Sequence, residues 1–249
     1  MLPDVISAME SIQYEELQDG TQTGLNTQSF VSALLTFKSL FTCLDSNALG
    51  FVQSDFSNYI DNINDSNHRN PSNSIQSLLQ YEIREQKNED NKSASQSLKK
   101  ILRLMQYKLL ELKHIKDAPE GQKPKKSAME AYKTAMKPHC NTMMRMVWKS
   151  AVNSGMPSLA HLYQRYAPNI SVDTFHEQIN HLIVVSAPVI QIVVEFLKAS
   201  QISPEEQFYF EDEAPARAPK HEIDEEPEAP SKHETTVPDE AGGITATNE

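Results

Sequence analysis

Apolar residues recur along most of this chain at the three- and four-residue steps of an amphipathic helix. Between Ser29 and Ile63 the pattern predicts two successive helices. Phe30, Leu34, Phe37, Phe41 and Leu44 make the seam of the first, and Val52, Phe56, Tyr59 and Ile63 that of the second. Asp45, Ser46 and Asn47 interrupt the run with side chains that start helices. Asp55 falls at the edge of the second seam, roughly in line with Tyr59 and Asn62. An acid there is either solvated at the rim of a core or aimed into a cleft.

The same reading extends in both directions. A short helix is expected over Val5–Leu17, followed by a polar connection through Gly20 and Gly24. Residues 64–73, rich in turn formers around Pro71, read as a loop, and Ser74–Lys87 as a short helix. Ser93–Lys116 reads as a long helix with Leu98, Ile101, Leu102, Met105, Leu109 and Leu112 on one face. Gln96, Lys100, Arg103 and Tyr107 align on the other, which alone is compatible with a solvated basic face. Ser127–Ser154 is expected to turn Met129, Tyr132, Met136, Cys140, Met143, Val147 and Ala151 inward, with a kink at Pro138, which lacks a backbone donor. A short helix follows at Pro157–Tyr166. Ser171–Ser200 opens on a capping sequence, SVDTFHEQ, and becomes apolar almost all round, as a helix buried at the centre of an all-α domain does. Its β-branched stretch Leu182–Val194 also fits two strands; the surrounding helices favour helix.

Charge changes the picture at one end only. The net charge is −11 over 249 residues, yet from Ile202 onward there are 14 acids against 3 bases, so residues 1–201 are neutral. Six of the 14 prolines also lie beyond Gln201, and residues 202–249 are expected to be a disordered acidic tail. Inside it, Phe208-Tyr209-Phe210 sits among acids. It resembles the two-phenylalanine acidic motif that docks lipid-transfer proteins on endoplasmic-reticulum receptors; the alternative is an anchor that packs back on the domain. Cys43 and Cys140 read as small buried residues of a reducing compartment. The amino terminus has acids at Asp4 and Glu10 and no continuous apolar core, so no signal peptide is expected. Leu182–Leu197, broken by Ser186, Pro188, Gln191 and Glu195, falls short of the roughly 20 residues of a membrane span. A cytosolic protein is expected.

Catalytic chemistry finds little support. The eight histidines form no ligand-spaced cluster with the cysteines, and the seven glycines form no phosphate loop. A neutral domain offers no basic nucleic-acid face. The expectation is no enzyme, no metal and no cofactor.

Four stretches in order resemble the glycolipid transfer protein (GLTP) family: the FVQSD step ending at Asp55, SIQSLLQYE at Ser74–Glu82, the helix around Leu98–Leu112, and the helix opening with AYKTAMK at Ala131. The likeness covers roughly residues 20–200. It implies an all-α, two-layer helical sandwich at residues 25–201, behind a lead-in at residues 1–24. It also implies binding of a sphingolipid, with acyl chains in an apolar slot, transient contact with a membrane surface, and transfer between membranes. Asp55 matches the family's ceramide-gripping acid. Tyr59 and Asn62 fall at the next headgroup positions, where the family has Asn or Lys and then a basic residue. Lys100, with Arg103 beside it, falls near the position that is Trp in sugar-binding members and Arg in phosphate-binding ones. The family histidine position holds Cys140, with His139 one step early, and the membrane-docking Trp is Thr142 here. Two cations without a Trp platform favour a phosphorylated or small headgroup, as in the ceramide-1-phosphate branch. The alternative is a scaffold that keeps the fold and has lost transfer.

Overall fold

The computed structural model of the chain describes residues 1–17, 23–42, 50–166 and 168–211. It is all-α apart from one small hairpin. Helix α1 (Leu2–Glu10) leads into β1 (Tyr14–Glu16), which pairs antiparallel with β2 (Thr23–Leu25), Tyr14 opposite Leu25. The helix expected over Val5–Leu17 therefore stops seven residues early by sequence, where Gln13 and Asn26 begin backbone pairing across the hairpin at 2.9 Å. Then come α2 (Thr27–Phe37) with a 3-10 turn at Lys38–Phe41, α3 (Gly50–Arg69), α4 (Ile75–Arg84), α5 (Ala94–Lys116), α6 (Pro124–Ala131), α7 (Thr142–Gly155), α8 (Leu159–Tyr166) and α9 (Val172–Ala199). Cys43, Leu44 and the break at Asp45–Asn47 lie outside the described residues, as do Gly20 and the chain from 212 onward.

Four helices start at a side chain that accepts an orphan backbone donor, Asn26 for α2, Ser74 for α4, Ser93 for α5 and Ser171 for α9. The start of α5 is fixed further by Glu82 of α4, buried at 4 % exposure. Its carboxylate accepts from the amides of Ala94 (2.7 Å) and Ser95 (2.8 Å) and from the hydroxyls of Ser95 (2.7 Å) and Ser66 (2.6 Å). A negative charge at a helix N-terminus is favourable, and here it ties α3, α4 and α5 together.

α5 is the hub of the two-layer sandwich, packing against α3, α4, α6 and α9, while α1 joins α2 to α9. On one side of α5 the rings of Phe37, Phe41 and Phe56 cluster, Phe41 and Phe56 with centroids 5.4 Å apart. The core also holds charge. Lys108 and Glu111, both fully buried, pair at 3.0 Å, with the ammonium 5.2 Å from the Phe41 ring centre and 3.4 Å from the Tyr166 hydroxyl. That hydroxyl donates to the Leu40 carbonyl at 3.0 Å.

Several sequence expectations need correction; residues 64–69, read as part of a loop, are the last turns of α3. Pro138 breaks its helix instead of kinking it. With no N–H to offer Thr134, the chain leaves α6 through a π turn (Tyr132–Met136) and a 3-10 turn (Lys137–His139), and Asn141 caps a new helix, its side chain accepting from the Met144 amide at 2.9 Å. The restart resets the phase. Trp148, Ala151 and Val152 turn inward, and Met143, expected inside, is 70 % exposed. α9 is one continuous helix, as the surrounding helices favoured. Although long and apolar enough to cross a membrane, it lies against α1 and α5 with Leu182, Ile183, Ala187, Ile190 and Val194 buried. Val184 is 45 % exposed, so the helix at the centre is α5 rather than α9.

The described chain continues past Gln201. Ile202, Ser203, Glu206 and Phe210 are buried, and Gln106 of α5 holds the segment in place, donating to the Gln207 carbonyl (3.0 Å) and accepting from the Tyr209 amide (3.2 Å).

Candidate functional site

α3 presents Phe51, Val52, Asp55 and Tyr59 along one face, at helical spacing. α5 meets them with Lys100, Arg103 and Leu104, and the broken segment around Pro138 adds Met136, His139, Cys140 and Asn141. α7 closes the far wall with Met144 and Trp148. The result is a cleft of about 250 Å³ with an ionic mouth and an apolar floor. Trp148, 2 % exposed, is wedged edge-on to Phe51 (5.6 Å) and Tyr107 (5.1 Å) and stacked on Tyr132 (5.8 Å).

Five of the six residues singled out from the sequence thus converge: Asp55, Tyr59, Lys100, Arg103 and His139. Asn62 does not line the cleft. Its side-chain amide donates to the Ser97 hydroxyl at 3.1 Å, tying α3 to α5 one turn away. Cys140 lies beside His139 in the wall, since the 3-10 turn and extended residue that follow Pro138 bring both neighbours to the same opening. Thr142 is exposed at the start of α7.

Desolvation sets the charges. Burial raises the Asp55 carboxyl above its ordinary value, and Lys100 partly offsets this. Lys100 is pushed down by burial and then by Lys99 and Arg103, with Asp55 pulling the other way. Its ammonium sits 5.2 Å from the centre of the Tyr59 ring, a cation–π contact. The Tyr59 hydroxyl is pushed up to about 12 by burial and the Asp55 charge, so it is a hydrogen-bond donor at every physiological pH. His139 is lowered by burial and by Arg103, against the pull of Glu206 and Glu205, and burial raises the Cys140 thiol.

The residue that sequence reasoning missed is Glu206. At 1 % exposure its carboxylate receives Arg103 through two nitrogens, Nη2 at 2.7 Å and Nε at 3.0 Å from Oε2, and approaches His139 Nε2 at 3.9 Å. Glu205 and Ser203 also reach Arg103 Nη2, each at 3.3 Å. The only sequence signal was the acid-flanked aromatic island, which here packs back on the domain with Phe210 buried in the core. Docking those aromatics on a receptor requires Phe210 to leave it.

A larger cleft, about 530 Å³, opens elsewhere between Glu15, Glu16, Asn70, Ser72, Ser77 and Arg84. Its walls are polar, and it lacks an apolar floor. An apolar crevice between α2, α5 and α9, lined by Phe30, Ile101, Met105, Val189, Ile190 and Val193, is too narrow for water. Among the described residues no three of His, Cys, Asp or Glu are grouped to hold a metal ion.

The sequence pattern of the glycolipid transfer protein (GLTP) family matches residues 25–168, which include Asp55, Lys100, Arg103 and His139. No curated protein matches by sequence. Solved structures match across most of the described chain. A mutant of Arabidopsis ACD11 (accelerated-cell-death 11) complexed with ceramide-1-phosphate superposes with a TM-score of 0.69 at 15 % identity, covering 81 % of this chain and 96 % of that one. HET-C2, a fungal glycolipid transfer protein, gives 0.66 at 17 % identity, covering 80 % and 97 %. The apo form of mouse ceramide-1-phosphate transfer protein gives 0.66 at 15 % identity, covering 81 % and 97 %. At these identities the likeness is one of fold.

Proposed function

Since the chain belongs to the glycolipid transfer protein family, whose members carry lipids and are not enzymes, we propose that it binds a ceramide-based sphingolipid with a phosphorylated or small headgroup and moves it between membranes. The observation that carries this reading is the meeting of Asp55 and Lys100 in one cleft over an apolar floor. Asp55, an acceptor held among apolar walls, suits the amide and hydroxyl donors of ceramide. Tyr59 and Lys100 supply the donors that an oxygen-rich headgroup needs. Two of the structural relatives, the ACD11 mutant bound to ceramide-1-phosphate and the ceramide-1-phosphate transfer protein, deal with a phosphorylated ceramide.

Chain burial supplies most of the affinity. At about 0.8 kcal/mol per methylene, a 16-carbon chain contributes roughly 12 kcal/mol once enclosed. The crevice between α2, α5 and α9 is the seam along which the layers part to admit it, and it closes over its own apolar walls when empty. Docking on a membrane brings the cleft mouth to the lipid. Met143 and Met146, 70 % and 64 % exposed, flank the cleft-lining Met144 on α7, and the exposed Lys123, Lys125 and Lys126 add about 1 kcal/mol each near an anionic surface. The protein then works in the cytosol, touching membranes transiently.

A second reading has its own observation. The narrow crevice and the Glu206–Arg103 pair are what a scaffold that had given up transfer would display. Vesicle-to-vesicle transfer of a fluorescent ceramide-1-phosphate separates the two. The carrier reading predicts transfer that rises with protein concentration; transfer at the spontaneous rate leaves the scaffold.

A further inference from the structure

Arg103 is the strongest fixed cation of the cleft, and it is already spoken for. Its guanidinium makes the fork-like, two-nitrogen contact with Glu206 that such groups make equally well with phosphate. Glu206 is not a surface acid that happens to lie nearby. It is 1 % exposed, it accepts from the Ser203 hydroxyl at 3.1 Å, and its segment is held by Ile202 and Phe210 in the core and by both ends of the Gln106 amide. The exposed Glu205 adds a second negative charge at 3.3 Å from the same nitrogen. Around the cleft, Asp55 thus stands against Lys100, and Glu206 with Glu205 against Arg103.

We propose that Glu206 is a built-in competitor for the headgroup. A phosphorylated sphingolipid reaches Arg103 only by displacing the Glu206 carboxylate, whereas an uncharged headgroup binds beside Asp55 and Lys100 with the carboxylate in place. This inference rests on the sphingolipid reading above and specifies how that site weighs headgroup charge. A phosphate that leaves Glu206 where it is would add two or so negative charges beside Lys100, which already faces Asp55 and the Tyr59 ring. Displacement also has a structural consequence. The segment from Ser203 to Phe210 is pinned to α5 at Arg103 and at Gln106, so losing the first contact loosens the second.

Two experiments on the full-length chain test this. Native mass spectrometry compares the natural protein with Glu206→Gln after exposure to phosphatidylcholine vesicles carrying either ceramide-1-phosphate or glucosylceramide. The amide keeps the shape and the Ser203 contact but removes the charge that competes. The ratio of ceramide-1-phosphate to glucosylceramide taken up should rise about tenfold in the variant, the factor that one charge-assisted hydrogen bond commands. A ratio that stays put or falls overturns the proposal. Hydrogen exchange on the natural protein covers the case in which Glu206→Gln fails to fold. Exchange in residues 203–210, where the Tyr209 amide is held by Gln106, should quicken with ceramide-1-phosphate vesicles and not with glucosylceramide vesicles. Bound ceramide-1-phosphate with unchanged exchange there overturns it. If neither protein takes up either lipid, the sphingolipid reading itself fails and this inference with it; uptake with an unchanged ratio sinks the inference alone.

Discussion

Replacing Asp55 with Asn should weaken lipid binding and, at neutral pH, strengthen the empty fold. The carboxylate lies in the cleft wall opposite Lys100, where burial raises its pKa above the ordinary value. Asparagine keeps the shape and one acceptor but gives up the charge. A charged hydrogen bond contributes about 1.5–3 kcal/mol, and 1.4 kcal/mol is a factor of ten, so affinity should fall about 10- to 100-fold. Stability should move the other way. A carboxyl raised above its unfolded value favours the protonated form in the native state. Its stabilising contribution is full below the unfolded pKa and is lost as pH rises through the folded one. Asp55→Asn should therefore melt at a higher temperature than the natural protein at pH 7, with the gap closing in acid. Affinity is read from the fluorescence of Trp148, the only tryptophan, which lines the cleft and reports without labelling. Unchanged affinity, or a variant that melts lower at pH 7 and recovers in acid, refutes the reasoning.

Other substitutions probe the remaining parts. Glu111→Leu strands the buried Lys108 ammonium and should cost about 3–5 kcal/mol by denaturant melt; Lys108→Met added to it should recover most of that, since a well-packed apolar pair replaces a desolvated ionic one. Val193→Phe fills the crevice between α2, α5 and α9 and should block lipid uptake in the vesicle assay while leaving a cooperative unfolding transition, with overpacking costing about 1–3 kcal/mol. Met143→Glu with Met146→Glu should cut vesicle co-sedimentation and transfer while leaving the melting temperature nearly unchanged, because both side chains are exposed.

The helices were legible because their seams repeat at 3.6 residues. Phe30, Phe37, Phe41 and Phe56, read as seam residues, are all buried at 1 % exposure or less. Asp55 was legible too, as an acid on the margin of a seam, and Lys100 and Arg103 as cations on the polar side of α5. Local periodicity failed where something else took over. Pro138 reset the helical phase, which hid Trp148 in the wall and put Met143 outside. Composition pointed to a solvated tail from Ile202, yet Phe210 found a place in the core and carried Glu206 to Arg103, 103 residues away in sequence. The Lys108–Glu111 pair sits three residues apart on α5 and looks like an ordinary surface pair; only the tertiary packing around Phe41 and Tyr166 reveals it as buried. Asn62 followed the expected helical line but was claimed by Ser97.

A lipid carrier needs the narrow apolar crevice between α2, α5 and α9 to open and take an acyl chain. Native mass spectrometry of the recombinant protein after incubation with sphingolipid-containing vesicles tests it most directly. The carrier reading predicts a shift by the mass of one sphingolipid molecule, reduced in Asp55→Asn. A bare protein mass under every vesicle composition, from a folded sample, contradicts it.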